Sequence, residues 1–186
     1  MENYKTIEVL KSLVKINNDR IEGYETAIKE TVEEDLKTIF SRFAQTSHKC
    51  KDELVDEIYK LGGDPDEGEH AIGRFFGVWS DMKVALAEHD RKTIFDSCEF
   101  GEDITIATYG KALYDVTHLS IGLHNMVQMQ YGLIKIDRVR INAMRETLPI
   151  RSLVIYSPIF VKYNKEQEAG PFLPEIKFLG TSIQIK

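Results

Sequence analysis

A chain of 186 residues that is 42% hydrophobic holds enough apolar material for one domain with a real core, and is too short to favour two. Thirty acidic against 24 basic side chains give a net charge of −6 with no gathering of bases, which excludes nucleic acid as the expected partner. The opening MENYKTIEVL has no basic segment followed by an apolar run, and no stretch approaches the length of a bilayer span, so the expected setting is cytoplasmic, off the membrane.

From Asn3 to about Thr31, Ile7, Leu10, Val14, Ile21, Tyr24 and Ile28 recur at steps of three and four, with Asn17 in the gap. That spacing predicts one helix with a bundle-type stripe. A second helix begins near Glu33 to Asp35, whose acids suit a helix N-terminus. Its stripe holds Leu36, Phe40, Phe43, Cys50, Leu54 and Leu61, with Ser47 in the gap, and it stops at Gly62-Gly63. After the turn-rich GGDPDEGEH comes a shorter helix with Ile72, Phe75, Phe76, Trp79, Met82 and Leu86 on one face.

Asp90 is the expected N-cap of the next helix, which runs to about Tyr114. Its stripe of Phe95, Cys98, Thr105, Tyr109 and Leu113 is completed by a carboxylate, Glu102. A last helix starts between Thr117 and Ser120 and ends before Pro149, its stripe of Leu123, Val127, Ile134, Ile141 and Met144 interrupted by Gln130 and Asp137. Beyond it the character changes. Leu153 to Tyr163 is rich in β-branched and aromatic residues, and Ile176, Phe178, Ile183 and Ile185 suggest alternation. Residues 1–148 therefore form the expected helical domain, and 149–186 a C-terminal tail that is extended or a β-hairpin, or that meets a partner.

Short connections make the first two long helices antiparallel neighbours, and likewise the last two, while the crossover helix is long enough to travel back along the bundle. The expected fold is all-α, a ferritin-like up-down-down-up four-helix bundle with a helical crossover between the second and third long helices. Counting from the helix ends brings Asn17, Ser47, Glu102 and Gln130 to one height, a polar layer with a member on every long helix. Asp137 falls level with Tyr24, whose hydroxyl is a ready donor for it. A buried carboxylate must be hydrogen-bonded, neutralised or bound to a cation, which is why the inward Glu102 draws attention. If its role is structural, Glu102→Gln is expected to be tolerated.

The stretches INNDRIEGYETA, KLGGDP, GRFFGVWSDMKVAL, CEFGEDITIATYGKAL and QYGLIKIDRVRINAMR together resemble a bacterial ferritin-like four-helix-bundle family carried as a domain of unknown function, over residues 3 to 148. The resemblance implies the fold and no assigned activity. Iron-handling bundles of this kind place a Glu on each of two helices and a Glu-x-x-His on each of the others. This chain offers Ser47-x-x-Cys50 and Gln130-x-x-Leu133 instead, with Glu22 beside its stripe.

The literal Glu67-x-x-His70 falls in the loop or the first crossover turn, while His48 and His124 flank their stripes and His89 and His118 sit near helix ends. Cys50 and Cys98 lie about 12 Å apart in height, too far for a disulfide. The expectation is thus a non-enzymatic bundle acting by association, as a homo-oligomer or with a protein partner, with a degenerate di-metal layer, no cofactor and no assigned metal ligand. The rival reading is an iron-binding or metal-dependent oxidase using Glu102 with Glu22, Asp19 or Asp137.

Overall fold

The computed structural model describes residues 2–65, 72–114 and 118–148, without the side chains of 2, 72–77 and 79. Among the described residues the chain is all-α, with five helices and no strand: α1 Glu2–Glu30, α2 Glu34–Lys60, α3 Ile72–Ala87, α4 Arg91–Tyr114 and α5 Ile121–Glu146. The expected tail over 149–186, the Glu67 and His70 pair, and the side chains of Ile72, Phe75, Phe76 and Trp79 lie outside them.

Local chemistry sets the boundaries. Asp90 caps α4, its carboxylate accepting from the Thr93 amide at 3.2 Å and from the Thr93 hydroxyl at 2.5 Å. Ser120 caps α5 by accepting from the Leu123 amide at 3.4 Å. At the end of α2 the backbone enters the left-handed region at Gly62, φ 79°, where the missing Cβ removes the steric penalty. The amides of Gly62 and Gly63 then close onto the carbonyls of Tyr59 and Ile58, each at 3.0 Å, as a glycine stop requires.

The short link Thr31–Glu33 folds α2 back on α1. α1 packs against α2 and α4, and α5 against α4 and α2, so the four long helices close a ring with α3 against α4 and α1. Several contacts fix which ends meet. Arg91, opening α4, pairs with Glu33 and Asp35 at the start of α2. Near the start of α1, the Thr6 hydroxyl donates to the His118 carbonyl at 2.5 Å. Arg138 of α5 bonds Glu99 at 2.5 Å and Asp103 at 2.8 Å on α4, and Arg145 reaches Glu99 at 2.6 Å and Asp96 at 3.0 Å.

The buried apolar residues form two clusters rather than one. One gathers Leu10, Leu13, Leu54, Ile58, Val127 and Ile134, and the other Leu36, Phe40, Phe43, Phe95, Met82 and Ile141. Full burial of each such side chain is worth about 1.5–3 kcal/mol. Between the two clusters along their helices lie Arg20, Ser47, Glu102 and Asp137, while Gln130 sits among residues of the first, and these polar positions define the candidate site.

Candidate functional site

The site begins with a residue that the stripe analysis passes over. Arg20 stands three residues after Asn17 and four before Tyr24, so all three share the inner face of α1. Its side chain is only 1% exposed. Such a cation is tolerable in a core only when paired and fully hydrogen-bonded, because removing it from water costs several kcal/mol.

Each of the other long helices supplies a partner. From α4, Glu102 Oε1 accepts from Arg20 Nη2 at 2.7 Å and from Nε at 3.1 Å. From α2, Ser47 Oγ accepts from Nη1 at 2.6 Å. From α5, Asp137 Oδ2 lies 3.5 Å from Nη2, while its Oδ1 accepts from Arg140 at 3.0 Å. Tyr24, one turn along α1, donates its hydroxyl to Glu102 Oε1 at 2.5 Å. Its ring rests on Phe40 and Phe43, with centroids 5.7 and 5.2 Å away, so the apolar packing aims the hydroxyl.

A second tier lies toward the start of α1. Asn17 donates to the Tyr109 hydroxyl at 2.7 Å and to the Leu13 carbonyl at 2.8 Å. Tyr109 donates in turn to Gln130 Oε1 at 3.0 Å, and Gln130 Nε2 donates to Glu53 at 2.9 Å and to the Cys50 carbonyl at 3.2 Å.

Asn17, Ser47, Glu102 and Gln130 are all buried, but their hydrogen bonds divide them into these two tiers instead of one layer. Ser47 and Glu102 meet through Arg20, Asn17 and Gln130 through Tyr109. Asp137 is seven residues from Gln130 along α5, a rise of about 10 Å, and it is the α5 residue that faces Arg20. The Tyr24 hydroxyl donates to Glu102, in place of the expected Asp137. Glu22 is exposed and turned away from the cluster, and Asp19 is buried. Cys50 and Cys98 are buried free thiols, Cys50 pushed up to about 11 by burial. His48 lies at the surface against Glu25, 3.0 Å away.

The electrostatics follow from one cation facing two carboxyls out of water. Burial pushes Glu102 above the usual carboxylate range, with the Arg20 charge and the Tyr24 bond pulling against it and Asp137 adding to it. Burial also raises Asp137, again opposed by Arg20. For Arg20, burial favours loss of charge, but Glu102, Tyr24 and Asp137 outweigh it and hold the guanidinium protonated. Among the described residues, Glu102 Oε2 and Asp137 Oδ2 are buried without a hydrogen-bond partner.

A pair of iron ions does not fit this donor set. Ions of that kind need several carboxylates and imidazoles. Here one oxygen of Glu102 is already committed to three donors, and a fixed positive charge sits against it. Among the described residues no three His, Cys, Asp or Glu side chains are grouped to hold a metal ion, and no helix is long and apolar enough to cross a membrane.

A family model described as a domain of unknown function, DUF2383, matches residues 5–115. No curated protein matches the chain.

Proposed function

The chain belongs to the DUF2383 family, and from that premise we propose that it is a non-enzymatic, ferritin-like bundle that works by association, as an oligomer or with a protein partner. The observation that carries this reading is the Arg20 guanidinium, bonded to Glu102 and Ser47 and 3.5 Å from Asp137. It supplies the positive charge at the centre of the bundle that metal-handling relatives of this architecture draw from ions. With that position filled, the polar core holds helix register and leaves the outer surface as the part available for work.

The ferritin-like order is supported by the contacts between helix ends. Arg91 with Glu33 and Asp35 sets the starts of α2 and α4 side by side, and Arg138 and Arg145 lay α5 back along α4. These contacts support the proposed up-down-down-up path with α3 as the crossover. The cytoplasm is the proposed setting.

Metal analysis of the full chain, purified from iron-supplemented cells, tests the proposal. Iron far below one equivalent per chain is the expected result. Two equivalents per chain would overturn it in favour of the oxidase reading.

A further inference from the structure

Donors and acceptors around Arg20 do not balance. A guanidinium carries five N–H groups. Nε and one N–H of Nη2 are spent on Glu102 Oε1, and one N–H of Nη1 on Ser47 Oγ. The second N–H of Nη2 faces Asp137 Oδ2, which at 3.5 Å lies beyond a good N–H···O bond. On the acceptor side, Glu102 Oε2 and Asp137 Oδ2 meet no donor among the described residues, although the two residues are only 0 and 1% exposed.

The two carboxyls do not satisfy each other. Glu102 spends Oε1 on Arg20 and Tyr24, and Asp137 spends Oδ1 on Arg140. Yet their remaining oxygens are neighbours. Glu102 Oε2 shares a carboxyl carbon with the oxygen 2.7 Å from Nη2, and Asp137 Oδ2 approaches the same Nη2. One donor and two acceptors, all buried, therefore border one position. Buried polar atoms left in this way are costly, so a small molecule that satisfies all three is retained.

We propose that this position is a binding site for a single water molecule, which accepts from Arg20 Nη2 and donates its two O–H groups to Glu102 Oε2 and Asp137 Oδ2. The site calls for two donors and one acceptor on one small neutral molecule. A metal cation or an ammonium ion would meet the guanidinium, like charge against like, and an anion would meet two carboxyl oxygens. Three hydrogen bonds are the usual number for an internal water, and a polar gap of this width is one that a water bridges.

The water also completes the joint between helices. Asp137 is the contribution of α5 to the cluster, and its direct approach to the guanidinium is the long one. Through the water, α5 is hydrogen-bonded to Arg20 of α1 and Glu102 of α4, while Ser47 of α2 holds the other side of the guanidinium. This inference goes beyond the association reading and does not depend on it.

Crystal structures of the full chain and of Asp137→Glu, at a resolution that orders internal waters, test it. The wild type should show one density peak at about 2.7–3.2 Å from Arg20 Nη2, Glu102 Oε2 and Asp137 Oδ2, without anomalous signal at the iron edge. Asp137→Glu lengthens the side chain by one methylene, so it should bring the carboxylate directly onto Nη2 and lose the peak. A wild type without the peak, with Asp137 bonded directly to Arg20 or to Glu102, would overturn the inference. So would a peak that persists unchanged in Asp137→Glu. An anomalous iron peak at this position would overturn it as well, and it alone among these results would also count against the association reading.

Discussion

At the scale of single residues, the arrangement around Arg20 changes what substitutions should do. Glu102→Gln, harmless if Glu102 acted only as an acceptor, removes one of the two buried counter-ions of a guanidinium. Asp137 remains to share the charge, so Glu102→Gln and Asp137→Asn alone should each be milder than the double variant implies. The double variant strands Arg20 and should lose about 3–5 kcal/mol, more than the sum of the singles. Urea unfolding of all four proteins checks this, and simple additivity would count against a shared cluster.

The sign of the pH dependence follows from the raised carboxyls. A group that keeps its proton longer in the folded state contributes stability at acid pH, and loses it as pH rises from the unfolded value toward the raised one. For Glu102 that window opens upward from 4.5. Glu102→Gln does not titrate there, so its stability relative to wild type should improve in thermal melts as pH rises above 4.5. A relative decline would mean that the folded Glu102 titrates low instead.

Arg20 was readable in principle, since it falls on the same face of α1 as Asn17 and Tyr24. A charged residue between Asp19 and Ile21 reads as surface unless its face is counted. The exposed Glu22 and the buried Arg20, two residues apart, show that the face decides and the residue type does not.

At the scale of elements, the five helices were legible because stripe spacing and end signals agree for each. Asp90, Ser120 and Gly62 each sit where a start or stop signal belongs, and each makes the corresponding backbone or capping bond. Heights across the bundle were less legible, because counting from helix ends ignores side-chain reach. Tyr109 spans from Asn17 to Gln130, and Arg20 from Ser47 to Glu102, which regroups a single expected layer into two tiers.

A cap is the simplest element-scale test. Asp90→Ala should cost about 1 kcal/mol, lowering the melting temperature by roughly 2–4 °C for a chain of this size, while Asp90→Asn should preserve most of the cap. Equal loss in both variants would show that charge, and not capping, is what Asp90 supplies.

At the scale of the whole molecule, one guanidinium connects the four long helices. Arg20 belongs to α1 beside Tyr24, bonds Ser47 of α2 and Glu102 of α4, and faces Asp137 of α5. The two apolar clusters supply most of the folding free energy without requiring one register among these helices. The polar cluster supplies that requirement, because a slip of α1 or α4 by one turn parts Arg20 from Glu102, and a slip of α2 or α5 takes Ser47 or Asp137 away from the guanidinium.

Urea unfolding of wild type and Arg20→Met at pH 7, followed by circular dichroism, tests this most directly. The account predicts that Arg20→Met, which keeps an apolar side chain of similar length but abandons two buried carboxyls, loses about 3–5 kcal/mol. Stability equal to or above that of the wild type would contradict it.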